Sequence, residues 1–412
     1  MAEMPAKEGK SNLPMGAGLT ALDEDYRENL YQVLDDLRER APVLRDTELN
    51  HVFVTRHDDV KAVLRDRDLL VDPRTTLPDD YVRLFTPDAE SETYEPSMLF
   101  LDDPDHRRLR GIVTQAFNPR SIEAMRPRIE AIAKELLDEM EGKAEVDFIT
   151  AYAAPLPTIV IADMLGVERE RRADFKRWSD DIVQAFDPLR GPETTARINA
   201  SQQAMRDYFT ATIAERRANP GNDLISDLIR AEEDGAKLNN REVLSMCTLL
   251  LTAGNVTTTD LIGNGLHALL AHPAELAKLK ADPSLIVNAV EEMLRYDGPV
   301  TDSGRHADRE MVIGGCPIET GRTVTTSLAA ANHDPSVYPD PHKFDITRAD
   351  THNQSFGGGM HICLGAPLAR LEAQVAINML LARFPNIAPG REQAVRRHLP
   401  AFRGFERMVV RL

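Results

Sequence analysis

One uninterrupted helical pattern sets the architecture of this chain. It runs from Asn240 to His272 and reads NREVLSMCTLLLTAGNVTTTDLIGNGLHALLAH. We identify no capping residue in it, and a helix of such length predicts passage through the middle of a large helical domain. The pattern contains Gly254, Gly263 and Gly265, and each glycine costs about 1 kcal/mol relative to alanine in a helix interior. Packing or function must therefore offset that cost.

The rest of the chain predicts a mainly α protein with small β-sheets. Helical spacing of apolar residues dominates from about residue 120 to 275. Residues 51–56, HVFVTR, predict a short strand, and after Arg295 short apolar runs alternate with glycine turns. No shift in composition marks a linker. We therefore predict a flexible tail over residues 1–20 and a single domain over residues 21–412.

Charge and apolar content exclude several classes of function. The net charge is -17, from 49 basic and 66 acidic residues, whereas a nucleic-acid-binding protein needs a basic face to contact phosphates. The first twenty residues lack the apolar core of a signal peptide, and no apolar run approaches the roughly 20 residues of a membrane span. Three cysteines fit a reducing compartment. These features predict a cytoplasmic protein that binds neither nucleic acid nor membrane.

A glycine-rich loop delivers one cysteine to the start of the last long helix. The loop reads FGGGMHICLG, from Phe356 to Gly365, with the cysteine at Cys363. Glycine permits positive φ angles and close approach of the backbone to a flat ligand, and a helix N-terminus favours a thiolate. A lone thiolate does not suit zinc, which takes about four protein ligands in structural sites. It suits the axial position of a haem iron, although most isolated cysteines are merely structural.

The loop resembles the haem-binding loop of the cytochrome P450 family, F-G-x-G-x-H-x-C-x-G, and every fixed position matches. Glu292 and Arg295 resemble the family's E-x-x-R, and Arg348 stands where the family has a second arginine. Taken alone, the E-x-x-R motif would indicate an ordinary ion pair on a helix surface. Together with the cysteine loop, the resemblance implies that Glu292, Arg295 and Arg348 form a buried charge network that braces the loop. It further implies the family's fold, a triangular helical prism whose long central helix crosses over haem b (iron protoporphyrin IX).

The resemblance also implies how the haem is held. His106 and Arg110 resemble the H-x-x-x-R of bacterial members, and this spacing places both side chains on one helix face. A haem has two propionates, which need cationic or hydrogen-bonding partners at its edge. The residues implied for cofactor binding are His106, Arg110, Arg305, Phe356, Gly357, His361, Cys363 and Gly365, with Cys363 as the iron ligand.

The segment AGNVTT, residues 253–258, resembles the family's oxygen-binding segment, A-G-x-[D/E]-T-T. Small residues at Ala253 and Gly254 leave room for dioxygen, and the hydroxyl of Thr257 can hold water and relay protons. The sequence departs from the family at Val256, where an acid is usual. We expect protons to pass through Thr257, water and either Asp260 or Asn255, since Asp260 is three residues from Thr257 on the helix. Alternatively, Val256 marks an enzyme driven by hydrogen peroxide.

Substrate contacts are implied at five segments: the irregular 71–100 loop, 175–186, 249–257, 299–304 and 401–405. Their side chains predict a mainly apolar small molecule with one polar group, although Thr301 and Asp302 can equally face a propionate or solvent. The residues implied for substrate contact are Leu250, Val300, Thr301, Asp302 and Phe402.

Electrons must come from separate proteins, because the chain has no second half that could bind flavin or an iron–sulfur cluster. The resemblance implies a ferredoxin and its NAD(P)H reductase as partners of a monomeric monooxygenase. We expect Arg107, Arg108 and Arg120 to form a basic docking patch beside the cysteine. A haem-thiolate protein that binds a ligand without turnover is the remaining alternative.

Overall fold

Helices form most of the computed structural model, which describes residues 18–46, 51–72, 74, 97–231 and 238–412. Within these residues the α-helices, in chain order, are α1 (Glu24–Glu28), α2 (Leu30–Arg40), α3 (His57–Arg65), α4 (Asp105–Val113), α5 (Pro119–Glu123), α6 (Arg126–Met140), α7 (Pro155–Leu165), α8 (Arg172–Val183), α9 (Pro192–Ala218), α10 (Leu224–Ala231), α11 (Asn240–Ala271), α12 (Pro273–Ala281), α13 (Ile286–Asp297), α14 (Leu328–Asn332) and α15 (Ala366–Arg383).

The strands among the described residues are short and form four small sheets. They are β1 (Val43–Asp46), β2 (His51–Val54), β3 (Leu69–Leu70), β4 (Glu145–Asp147), β5 (Asp302–Ala307), β6 (Met311–Ile313), β7 (Cys316–Ile318), β8 (Thr323–Ser327), β9 (Ala388–Pro389), β10 (Val395–Arg396), β11 (Phe405–Arg407) and β12 (Val409–Arg411). The largest sheet has the order β1-β2-β8-β5-β3, in which β2 and β8 are parallel and pair His51 with Thr323. The predicted mainly α fold with small sheets is confirmed.

Helix α11 is the long central helix that the sequence predicts. It packs against α7, α8, α13 and α15. Our expectation that it has no cap is wrong, because the Asn239 side chain accepts from the N–H of Glu242 while the Glu242 side chain accepts from the N–H of Asn239. This capping box satisfies N–H groups that the first turn cannot pair internally.

Two of the glycines in α11 are explained by close packing. A Cβ added to Gly265 would lie 2.6 Å from Sδ of Met293 on α13, and one added to Gly263 would lie 3.0 Å from Cδ1 of Ile149. A Cβ at Gly265 would force Met293 to move, and one at Gly263 would be a tight contact, so both glycines let the central helix approach its neighbours. The gain in packing offsets their low helix propensity.

The apolar core is largest around α11 and α15, with a second cluster under the five-stranded sheet. A third cluster covers the N-terminal helices and includes Leu19. Leu19 and Thr20 are buried, although the prediction places them in the tail; residues 1–17 lie outside the described residues. Among the helices that the structure describes, none combines the length and apolar character that crossing a membrane requires.

Candidate active site

The glycine loop owes its shape to two residues with positive φ. Gly357 has φ 68° and Gly359 has φ 66°, a conformation that side chains with a Cβ rarely adopt. A Cβ on Gly359 would also lie 2.2 Å from the carbonyl oxygen of Leu64 at the end of α3. The loop closes through the N–H of Cys363, which donates to the carbonyl of Phe356 at 2.9 Å. The predicted conformational role of both glycines is therefore observed.

Cys363 lies directly before the N-terminus of α15. The N–H groups of Gly365 and Ala366 donate to its sulfur and, with Arg110, lower the pKa of the thiol. Burial among protein atoms acts in the opposite direction and is the larger effect, so the pKa of Cys363 lies above its ordinary value. The N–H groups at the start of α15 therefore act on the pKa in the predicted direction, and the sequence analysis did not include the opposing desolvation.

Four basic side chains converge beside Cys363. The rings of His106, on α4, and His361, in the loop, lie 4.1 Å apart between centroids. Arg110 donates from Nη2 to the carbonyl of Ile362 at 2.6 Å. Arg305, on β5, is buried and donates to Ser303 and to the carbonyl of Gly304. Elements far apart in sequence thus bring together the four residues predicted to bind propionates.

The cluster has unused hydrogen-bonding capacity. Nε2 of His106 and Nε2 of His361 are buried and have no hydrogen-bond partner among the described residues. Burial lowers the pKa of both histidines, that of His361 to about 3, and lowers the pKa of Arg305 to about 10. Buried polar groups require partners, and a group that brings two carboxylates would supply them. The donor set therefore fits a haem edge, and the sulfur of Cys363 would hold the iron of a bound haem.

The buried charge network exists as the sequence predicts. Arg295 donates from Nε and Nη2 to the two carboxylate oxygens of Glu292, each at 2.8 Å, and both side chains are fully buried. Arg348 Nε lies 3.2 Å from the same carboxylate. Arg295 also donates to the carbonyls of Asn332 and Pro341, at 3.0 and 2.9 Å. One carboxylate thus fixes α13 against the segment that leads to the loop.

Sequence reasoning missed the link between this network and the loop. The amide of Asn332, on α14, donates to Ser355 Oγ at 2.8 Å, and its oxygen accepts from the N–H of Gln354 at 2.7 Å. Ser355 Oγ donates to the carbonyl of Leu294 at 2.7 Å. Ser355 immediately precedes Phe356, so these bonds anchor the first residue of the loop. No local pattern connects residues 332 and 355, and only the fold reveals the link.

The predicted oxygen-binding residues lie in the middle of α11. Ala253 is exposed, and Gly254 and Thr257 are partly exposed, whereas most of their helix neighbours are buried. The hydroxyl of Thr257 donates to the carbonyl of Ala253 at 2.9 Å. Helix α11 packs against α15, which begins just after Cys363. Asp260 lies one turn further on and is completely buried against Arg397 and Gly404.

The predicted substrate residues occupy two adjoining segments and α11. Val300 and Phe402 form a bridge between the two segments, and the N–H of Thr301 donates to the carbonyl of Ala401 at 3.0 Å. Thr301 Oγ1 donates to Asp302 at 2.9 Å, and burial raises the pKa of Asp302 to about 6. Leu250 is buried in the main core cluster. Residues 75–96 of the predicted 71–100 loop lie outside the described residues.

The arginines predicted to bind a redox partner differ in their surroundings. Arg107 is exposed but paired with Asp103, and Arg108 pairs with Glu242 and Asp105. Arg120 is exposed on α5, which packs against α15. Arg65, which the sequence analysis did not identify, is exposed on α3 and packs against Gly358 and Gly359. Within the described part of the chain, no carboxylate pairs with Arg65 or Arg120.

Comparison with known proteins agrees with this geometry. The family model for cytochrome P450 matches residues 9–402. Cytochrome P450 107B1 of Saccharopolyspora erythraea is 41% identical over 404 residues, which cover 95% of this chain and 97% of that protein. The 6-deoxyerythronolide B hydroxylase of the same organism is 39% identical, covering 94% and 97%.

Solved structures of cytochrome P450 proteins also match the fold of this chain. A crystal structure of P450BioI with a fatty-acid-ligated acyl carrier protein matches with a TM-score of 0.86 at 36% identity, covering 94% of this chain and all of that one. The chain belongs to the cytochrome P450 family. It is thus a haem-dependent monooxygenase that binds iron protoporphyrin IX, and its fold is that of the bacterial members.

The buried network generates a stability prediction. We expect Glu292→Ala to lower the free energy of unfolding by about 3–5 kcal/mol and to weaken haem retention, because it leaves Arg295 buried without its counter-charge. The neighbouring Glu291 pairs with Arg370 in a partly exposed pair, so Glu291→Ala should cost only about 1 kcal/mol or less. Denaturant titrations and the haem-to-protein absorbance ratio measure both effects. Equal losses in the two variants would contradict the bracing role.

Proposed function

We propose that this chain inserts one atom of dioxygen into a small, mainly apolar organic substrate, with electrons from a ferredoxin and its NAD(P)H reductase. The observation that carries the proposal is the convergence of His106, His361, Arg110 and Arg305 beside Cys363. In this role Cys363 holds the iron, and the four basic side chains bind the propionates. The haem supplies the activation of dioxygen. The second oxygen atom leaves as water and takes up two electrons and two protons.

The side chains of the chain position the substrate and exclude water from it. Phe402 and Phe186 pack edge to face at 5.2 Å between centroids, and both border an apolar cluster of Val183, Val256 and Leu399. Such a surface favours an apolar ligand. Asp302 is the carboxyl in this region that can accept a hydrogen bond from a polar substituent of the substrate.

The redox partner binds, in this proposal, on the face that carries Cys363. Arg65 and Arg120 flank the loop and the start of α15, and Ile362 lies exposed between charged residues. A basic rim around an exposed apolar residue suits an acidic ferredoxin. Arg107 and Arg108 contribute less than predicted, since both are neutralised by nearby carboxylates.

A carbon monoxide difference spectrum of the reduced protein tests the proposal directly. We expect the absorption band that a thiolate ligand gives to the carbon monoxide complex, and we expect Cys363→Ser to lose it. Cys316→Ser, which changes a cysteine on β7 remote from the loop, is the matched control and should keep the band. A parent protein that binds no haem, or a Cys363→Ser spectrum identical to that of the parent, would refute the ligand assignment.

Thr257 should control the fate of oxygen. We expect Thr257→Ala to divert oxygen to hydrogen peroxide, because its hydroxyl no longer orders water for proton transfer. Thr259→Ala is the matched control, since Thr259 makes the same type of bond to the carbonyl four residues earlier, at 2.9 Å, but is fully buried. Product and peroxide formed per NADH, with lauric acid as the probe, measure the effect. An unchanged ratio in Thr257→Ala rejects this role.

If the ferredoxin docks on this face, the ferredoxin concentration for half-maximal rate should depend on Arg65 and Arg120 and on the salt concentration. We expect the double charge reversal of Arg65→Glu and Arg120→Glu to raise the ferredoxin concentration for half-maximal rate about tenfold at low salt, and less at high salt, where charges are screened. Arg391→Glu changes an exposed arginine at the C-terminal end of the chain and serves as control. The same concentration for all three proteins at low salt would exclude this face.

A further inference from the structure

The position where the family usually has an acid is sealed by apolar side chains. Val256 is buried and packs with Val183, at the end of α8, and with Leu399; Phe186 and Phe402 cover the cluster. These residues belong to three separate elements, so the seal depends on the fold rather than on a single substitution. Neither Val256 nor its neighbours in the cluster can hold a proton or bind water. Protons must reach Thr257 by another route.

Asp260 lies one helical turn beyond Val256 and is the nearest acid on that side of α11. It is completely buried, and neither carboxylate oxygen accepts a hydrogen bond from a described residue. Arg397 Nη2 lies 3.2 Å from Oδ1, but its direction is not that of a hydrogen bond. Gly404 leaves the space that this carboxyl occupies, because a Cβ there would lie 2.0 Å from Oδ1. A buried carboxylate that accepts no hydrogen bond is costly even beside a guanidinium, which points to a role other than stability.

Asp260 also satisfies the helix geometry that a relay to Thr257 needs. Residues three apart lie on neighbouring parts of a helix surface, whereas residues two apart do not face each other. Asn255, the other candidate from the sequence, is as buried as Asp260 but is two residues from Thr257. The structure therefore favours Asp260 over Asn255.

The charges around Asp260 come from two elements. Arg397 and Arg396 approach from the C-terminal segment, and Lys176 and Asp180 approach from α8. Burial raises the pKa of Asp260 to about 6, while Arg397 and Lys176 lower it to a smaller extent. A carboxyl that titrates near the working pH can both release and regain a proton, which is the requirement for a proton donor.

A small cavity lies next to two residues that contact Asp260. It is lined by Arg397 and Gly404, which contact Asp260, and by Thr301 and Phe402; on the opposite side it reaches Arg27 of α1. Its volume is about that of a single water molecule, and the side chains of Thr301, Arg397 and Arg403 in its lining can act as hydrogen-bond partners. Water at this place would connect the carboxyl with the N-terminal side of the protein.

We propose that Asp260 replaces the missing acid at position 256 and passes solvent protons, through water in this cavity, to the hydroxyl of Thr257. The proposal rests on the monooxygenase function proposed above. In each turnover two protons pass along this path. Each proton leaves the carboxyl towards Thr257, and the carboxylate is reprotonated from the cavity. Arg397 is a positioning residue that orients the carboxyl and limits its pKa.

The variant Asp260→Asn tests the relay. We expect NADH consumption, with lauric acid as the probe, to fall at least about tenfold, because a general acid typically contributes 10²–10⁴-fold. We also expect a larger solvent deuterium isotope effect, which a merely structural role would not produce. Asp138→Asn removes a partly exposed carboxylate on α6 that pairs with Lys134 and should leave both values unchanged. Adding Val256→Asp to Asp260→Asn should restore most of the rate.

Two further measurements separate this proposal from the proposed function. Hydrogen peroxide supplies its own protons, so the rate of guaiacol oxidation with peroxide should be the same in Asp260→Asn and the parent. The carbon monoxide spectrum should also be the same, because Asp260 is not the iron ligand. Infrared titration should show a protonated carboxyl band in the parent that fades as the pH rises through about 6 and is absent from Asp260→Asn. Loss of the spectrum in the parent would instead refute the proposed function.

Arg397→Gln provides a second variant should Asp260→Asn not retain haem. Arg397 lowers the pKa of Asp260, so its removal should move the midpoint of the pH profile of NADH consumption upward. A pH profile identical to that of the parent, or an Asp260→Asn variant with the parent's rate and isotope effect, would overturn the proposal.

Discussion

The buried ion pair between Glu292 and Arg295 is the interaction on which the site depends. Two charges without access to water are stable only when their remaining hydrogen bonds are also satisfied. Here the carbonyls of Asn332 and Pro341 and the guanidinium of Arg348 complete the set. The pair thereby fixes α13, α14 and the following segment relative to one another. This arrangement also fixes the position of the cysteine loop, because the hydroxyl of Ser355 is hydrogen-bonded to Leu294 of α13 and to Asn332 of α14.

Helix α11 combines close packing on one side with open, functional residues on another. On one side Gly263 and Gly265 allow close approach of neighbouring elements, which maximises packing. On another side Ala253 and Thr257 remain open, which a protein selected for stability alone would avoid. Asp260 adds a buried charge. The capping box and the many buried apolar residues of the helix supply the stability that these functional features cost.

Local sequence patterns predicted the elements that local physics determines. The length of α11, the positive φ angles of Gly357 and Gly359, and the pairing of Glu292 with Arg295 depend on neighbours within a few residues or on a specific motif. The cap at Asn239 is also a local feature, because the capping box joins Asn239 and Glu242, which are three residues apart.

Features that depend on distant residues were not predictable in the same way. Arg397 meets Asp260 only because the C-terminal segment folds back onto α11. The contact of Arg65 with the loop has the same origin, because α3 and the loop are almost three hundred residues apart. The backbone of Gly359 lies so close to the carbonyl oxygen of Leu64 that a single methyl group on Gly359 would not fit between them. Chimeras that recombine N-terminal and C-terminal halves of two relatives must therefore preserve the backbone spacing between those halves, or the sulfur will be displaced.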